Sequence, residues 1–367
     1  MEYNSDDKFI HGSDVEYKEY ISSFTDTKNT FHRIITKMKG VLDYDFLDES
    51  SDENLLSGCC DKSCVRVGKE YFNDLIREIK RNPNSSYQTA YTREEIENDQ
   101  IPQYLSVVIK EPSNINSLEA EVFSSRILNY FGLPVVYNRR IDQPIPNFFS
   151  RRYLMSVDFI RPYERFYSLG HIVPTAIDNG EVGRVLENGL KETMSCIMAS
   201  IRKFLTDKGI SFDENQLEEV AKDLFRMILA RYIFLGDIDF RNGNIGLLID
   251  DKHKTFRLAP NFDMGLSLSS ISNPLRFDHL EEYYDYDTEE YNKFIDTMMK
   301  FIDGDEKKES DCLKLARKTI RDSAIADSFT YKLYVWAGEI WSETQRIKQS
   351  KMEKERVYAE PDLIYEK

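Results

Sequence analysis

The stretch GDIDFRNGNIGLLIDDKHKTFRLAPNFDMG, Gly236 to Gly265, constrains this chain more than any other. IGLLI (Ile245 to Ile249) and TFRLA (Thr255 to Ala259) read as two short apolar strands, joined by a polar turn from Asp250 to Lys254. A hairpin there carries Asp263 back beside Asn244, within reach of one cation. Asp239 lies five positions before Asn244. An Asp, an Asn five residues on and a second Asp after a hairpin form the chemical minimum of a phosphoryl-transfer site. Asp239 can accept the hydroxyl proton of a phosphate acceptor. Asn244 and Asp263 can offer hard oxygen ligands to magnesium held against nucleotide phosphates.

Composition narrows the class. A chain of 367 residues has material for two or three domains or lobes around a buried core. A formal charge of −15 argues against nucleic acid as a direct partner, because neutralising phosphates needs a basic face. No apolar run approaches the roughly 20 residues of a membrane span, so no membrane partner is expected. The opening MEYNSDDKF has neither a basic nor an apolar region of a secretory signal. Five cysteines suit a reducing compartment, and a cytoplasmic location is the expectation. Cys59, Cys60 and Cys64 cluster without a second ligand pair at zinc-site spacing, and read as incidental to a polar loop. The five histidines are scattered, and His253 reads as a solvated turn residue.

Residues 1–70 read as an appended N-terminal extension, with Lys28 to Leu42 helical and Asp43 to Asp61 an acidic loop. A compact mixed unit, 71–165, follows. Gln103 to Ile109 has strand character and delivers Lys110 at its end. Asn116 or Ser117 caps a helix running to about Phe131, stopped by Gly132. Val122, Phe123, Ile127 and Phe131 share one face of it, and Glu121 projects beside that face. A strand lysine held by a helix glutamate orients nucleotide phosphates in a kinase small lobe. Arg152 to Arg161 reads as a strand entering an extended connection, where backbone groups would meet adenine. From 166 to 367 the pattern is mainly helical. Leu186 to Phe204 carries an apolar stripe ending before Gly209, and Asp213 with Gln216 forms a capping box for the next helix. In that helix Leu217, Val220, Leu224, Ile228 and Tyr232 line up. Glu281 to Glu290 reads as an exposed acidic loop, and Glu289 to Arg356 as mostly helical.

VVIK with AEVFSSRILNYFGLPV, then DIDFRNGNI, then LAPNFDMG together resemble the HipA-like serine/threonine kinases, bacterial relatives of protein and phosphatidylinositol kinases. The resemblance spans Val107 to Gly265. It implies an α+β, bilobal protein-kinase-like fold with a mixed small lobe and a mainly helical large lobe. It implies Lys110 on the phosphates of ATP, Glu121 as its helix partner, Asp239 as catalytic Asp, and Asn244 with Asp263 on Mg2+. It also implies a protein substrate and, often, a toxin role with an antitoxin partner. Arg241 stands where the family usually has His, two residues after the catalytic Asp. A cation there can stabilise charge on the transferred group. Asp237 stands where the family commonly has Asn. No glycine-rich loop precedes Lys110, and Asn82 to Tyr91 is the candidate phosphate-covering loop. Its Ser85 and Ser86 would line the nucleotide, and the matching family loop can be autophosphorylated on serine. A pseudokinase binding module and a lipid or small-molecule kinase are the competing classes. The intact Lys110, Asp239, Asn244 and Asp263 favour an active enzyme. No basic membrane-facing patch supports a lipid substrate.

Overall fold

The computed structural model describes residues 41–45, 62–110, 115–143, 151–161, 163–173, 190–237, 240, 242–268, 288–303, 309–320, 327–335 and isolated positions between 338 and 353. Helix and sheet are mixed in an α+β arrangement. The largest sheet has five antiparallel strands in the order β1-β2-β4-β7-β6. They are β1 (Val41–Asp45), β2 (Lys62–Gly68), β4 (Tyr104–Lys110), β6 (Asn138–Gln143) and β7 (Arg151–Val157). β2 pairs along the whole of β4, from Lys62 opposite Lys110 to Gly68 opposite Tyr104. The expected extension therefore gives way to sheet structure by Val41. Val41 and Leu42 are strand rather than helix, and Asp43 to Asp45 are strand rather than loop. That pairing spans tens of residues, and a local reading of charge does not reveal it.

Register explains where the next helix lies. Arg140 opposes Leu154 across β6 and β7, and Leu154 opposes Lys110 across β7 and β4. One row across the sheet thus reads cation, leucine, cation. Helices α1 (Asn73–Arg81) and α2 (Arg93–Glu97) precede β4, and α3 (Ile115–Tyr130) follows it. α3 answers the row: Glu119 pairs with Arg140, Leu118 and Val122 cluster with Leu154, and Glu121 pairs with Lys110. Its end is the expected glycine stop. Gly132 has φ +73°, Leu133 N–H donates to Leu128 O, and Gly132 N–H donates to Asn129 O, closing a Schellman motif.

A second, three-stranded sheet joins β8 (Glu164–Ser168), β9 (Gly246–Asp250) and β10 (Thr255–Leu258) in the order β10-β9-β8. β9 and β10 are the hairpin read from the sequence, with residues 251–254 as its turn. β8 pairs with β9, so a boundary at 165 runs through a strand belonging with the hairpin. β3 (Tyr87–Gln88) and β5 (Val135–Val136) form a short parallel pair, and Val135 bridges on to Asn261. After the short α4 (Leu169–Ile172), α5 (Leu190–Asp207) ends at Gly209, φ +66°. α6 (Glu214–Ile228) opens on the expected capping box of Asp213 and Gln216, with both reciprocal bonds made. It runs into a π-helical turn, Leu229–Phe234. α7 (Thr288–Ile302), α8 (Asp311–Thr319) and helical residues 327–335 follow. Phe329 packs against Phe123 of α3, with ring centroids 6.5 Å apart.

Gly246 shows how tightly the hairpin is seated. A Cβ built there would lie 2.1 Å from the Tyr167 carbonyl oxygen and 2.8 Å from Ser168 Cα, both backbone atoms of β8. Gly246→Ala must therefore push β8 and β9 apart. A loss of about 1–3 kcal/mol is expected, the usual cost of overpacking, and urea denaturation measures it. An unchanged midpoint would contradict the close approach.

Candidate active site

Lys110 ends β4 and is 9 % exposed. Its ammonium donates to Glu121 Oε1 at 2.9 Å and to Asp263 Oδ1 at 2.8 Å. Residues far apart in sequence thus meet at one nitrogen. Burial works against the charge, but the Glu121 and Asp263 carboxylates outweigh it and hold the Lys110 pKa above its ordinary value. Asp263 follows the hairpin in a left-handed backbone conformation, φ 55°, uncommon outside glycine. Strained backbone of this kind concentrates at functional sites. Two residues on, Gly265 presses against α3: a Cβ there would lie 2.6 Å from Ser117 Oγ. On its other flank Phe262 stacks on Phe159 at 5.6 Å and meets Phe166 edge-on at 5.5 Å. Asn244 closes the short 3-10 turn Asn242–Asn244 just before β9, and is buried.

Sequence reasoning missed a second ion pair. Arg231 and Asp237 are both 0 % exposed. Arg231 Nε and Nη2 donate to Asp237 Oδ2 at 2.9 and 2.5 Å, and Nη2 also donates to the Asp263 carbonyl at 3.1 Å. Its guanidinium lies 4.7 Å from the Phe240 ring centroid. The π turn sets up this geometry, since wider turns shift which side chains face inward. The signal in the sequence was an arginine inside the apolar run MILARYIFLG, six residues before an aspartate. Asp239 and Arg241 lie outside the described residues, but Asp237 and Phe240 beside them are both fixed by Arg231.

The structure does not bring every candidate to Lys110. Ser86 N–H donates to Asn129 Oδ1 at 2.8 Å, and the Ser85 and Ser86 hydroxyls reach the same oxygen at 3.3 and 3.2 Å. Asn129 lies two turns beyond Glu121, roughly 12 Å along α3 at 1.5 Å per residue. Arg93 ties the loop down from below, donating to Ile79 O and Ser85 O. Buried Tyr87, Thr89, Ala90 and Tyr91 anchor the rest. Asn82 to Tyr91 is thus a packed segment anchored on Asn129. The connection after β7 also differs from expectation. Asp158 O accepts from Ala90 N–H, Asp158 N–H donates to Ser106 O, and the Asp158 and Glu164 carboxylates accept from the N–H groups of Ile160 and Arg161. Those groups are engaged by the protein itself. His253 is the turn residue expected, bonded to Asp250 through Nδ1 at 2.7 Å.

No protein-family model matches the chain, and no curated protein matches it. Among solved structures, the chain is similar to the Helicobacter pylori proinflammatory kinase CtkA. That structure is 20 % identical, with 67 % of this chain and 88 % of that chain covered and a TM-score of 0.42. What the site can do is read from its own side chains. No helix among the described residues is long and apolar enough to cross a membrane.

The Arg231–Asp237 pair yields a stability prediction. Arg231→Met deprives a buried carboxylate of its guanidinium and Asp237→Leu deprives a buried guanidinium of its carboxylate, so each should cost about 3–5 kcal/mol. The double variant should lose much less than the sum, as for any directly coupled pair. Chemical denaturation of the four proteins checks it, and additive losses would mean the pair contributes no direct coupling.

Proposed function

We propose that this chain is an ATP-dependent phosphotransferase of protein-kinase type, transferring phosphate to serine or threonine hydroxyls of a protein as the HipA-like kinases do. What carries the reading is the meeting of Lys110 with Glu121 and Asp263, at 2.9 and 2.8 Å. A strand lysine oriented by a helix glutamate, beside an aspartate in strained backbone after a hairpin, is the arrangement phosphoryl transfer needs. The five-stranded sheet with α3 would form the small lobe, and the helices after α4 the body of the large one.

The donor set suits magnesium. An asparagine amide oxygen and a carboxylate oxygen are hard ligands, and magnesium takes its remaining ligands from water and phosphates. Among the described residues no group of three or more His, Cys, Asp or Glu side chains forms a metal cage by itself. Asn244 and Asp263 would hold the ion, and bound Mg-ATP supplies the transferable phosphoryl group. Lys110 orients the phosphates while Glu121 fixes the direction of its ammonium. Asp239 accepts the proton of the acceptor hydroxyl and aligns its oxygen for in-line attack. Arg241 would supply a cation to offset negative charge on the transferred group. Arg231 ties Asp237 and Phe240, the described neighbours of Asp239 in sequence, to the Asp263 carbonyl, and fixed positions of this kind serve a transfer that needs aligned groups.

Mg-ATP should raise the unfolding midpoint by mass action, and Asp263→Ala should remove most of the magnesium-dependent part. Calorimetry and thermal melts with and without magnesium check this. Millimolar ATP that neither binds nor shifts melting would remove the reading's main support.

Asp239→Asn should leave ATP affinity nearly unchanged and lower turnover by roughly two to four orders of magnitude. Labelled ATP, with the protein alone, a protein mixture and lipids as acceptors, measures it. Transfer to lipid alone would reassign the substrate class. ATP binding without any transfer would favour a pseudokinase.

A further inference from the structure

On the outer side of α3 lies a cleft of about 510 Å3 bounded by α1, α3, β6 and α8. Cations converge on it from all four elements: Arg77 and Arg81 from α1, Arg126 from α3, Arg139 and Arg140 from β6, and Lys318 from α8. The chain as a whole carries −15, so this concentration runs against its overall charge. Like charges brought together in a hollow repel unless something compensates them.

Two of the cations are compensated internally, Arg140 by Glu119 and Arg77 by Asp74. Arg126, Arg139, Arg81 and Lys318 have no carboxylate partner among the described residues. Arg139 donates to the Tyr71 carbonyl, a neutral acceptor. Arg126 is half-buried between aromatic faces, 4.8 Å from the Tyr137 centroid and 5.8 Å from that of Tyr87. Its hydrogen bond, 3.2 Å, goes to the Tyr137 hydroxyl. A guanidinium held in place by aromatic rings is already ordered for an anion, so little rotamer freedom remains to be lost on binding. Arg81 and Lys318 stand in the last turns of their helices, where the dipole favours a cation. The dipole does not explain why both converge on the hollow that holds Arg126.

We propose that this cleft binds a phosphomonoester dianion. Several planar N–H forks from different directions match a tetrahedral group with three strong acceptor oxygens better than a single planar carboxylate. The volume falls within the range of small-ligand pockets, roughly 300–1,000 Å3. Asp74 and Glu78 on one wall disfavour a polyanion and suit a ligand with a hydroxyl or ammonium group beyond its phosphate. Such a group can sit on a free metabolite or on a phosphorylated side chain. Either would act on α3, the helix that carries Glu121. Binding here needs neither ATP nor phosphoryl transfer, so it stands or falls separately from the kinase reading.

The test is calorimetry at low ionic strength on the full chain without ATP. The probes are inorganic phosphate, O-phospho-L-serine, and a neutral peptide with and without one phosphoserine. Saturable binding of the phosphorylated probes is expected, with no binding of the unphosphorylated peptide. Tighter binding of the peptide than of O-phospho-L-serine would identify the source as phosphorylated protein, and equal or weaker binding a small metabolite. Arg126→Gln should weaken binding about tenfold, the loss of one charge-assisted contact. The double variant Arg81→Ala, Lys318→Ala changes exposed side chains only. It should weaken binding with its melting midpoint unchanged, which guards against a folding defect at Arg126. Repeating the titration with millimolar Mg-ATP present should leave binding of the phosphorylated probes unchanged, separating this cleft from the nucleotide site. Absence of saturable binding in the wild type would overturn the proposal. Probes displaced by Mg-ATP and still bound by both cleft variants would do the same.

Discussion

The ammonium of Lys110 sits where three separately folded pieces of the chain must agree. It ends a central strand of the five-stranded sheet, Glu121 reaches it from α3, and Asp263 reaches it from beyond the hairpin. Withdrawing Lys110 and Glu121 from water is costly, and both carboxylates, Glu121 buried and Asp263 part-exposed, offset it by their contact with the cation. Any displacement of the strand, the helix or the hairpin would weaken one of these contacts to the buried ammonium. The contact works as a specificity device more than as a source of net stability, because an apolar trio of similar volume would fold at lower cost.

Asp263 belongs to two networks at once. Its side chain serves Lys110, and its carbonyl accepts from Arg231, which is itself locked to Asp237. A residue held by both side chain and backbone can persist at φ 55° when either contact alone would let it relax. Phe262, stacked on Phe159, closes the third direction. The strained conformation is therefore sustained by the sheet, the π turn and an aromatic cluster together.

What was legible in the sequence was what is locally encoded. The hairpin, the Gly132 and Gly209 helix stops and the Asp213 capping box each rest on residues within a few positions of one another. The strands β1 and β2 were not legible: β1 runs into an acidic stretch and β2 is short, and each is strand through a partner well along the chain. Arg231 was hidden for the opposite reason: the apolar stripe around it was read as core, and the π turn that brings its side chain inward leaves no mark in a 3.6-residue period. The hydroxyls of Ser85 and Ser86 suggested phosphate donors by type alone. Their placement depends on Asn129, which no local pattern links to them. Asp239 and Arg241 lie outside the described residues, so the chemistry assigned to them rests on spacing and on the neighbours that Arg231 fixes.

α3 shows why the site is preorganised. Most of its sides are covered: Leu118, Ala120, Val122, Phe123, Ile127 and Leu128 are buried, but so are Glu119, Glu121, Ser124 and Ser125. A helix buried with acidic residues on it is unfavourable unless those charges meet partners. Here Glu119 meets Arg140, Glu121 meets Lys110, and Ser125 donates to the Val136 carbonyl at 2.7 Å. An apolar helix could slide by a turn and still bury its surface. This one cannot, because sliding would take both carboxylates off their cations. The row of Arg140, Leu154 and Lys110 on the sheet thus sets the register of α3, and through it the direction in which the Lys110 ammonium points.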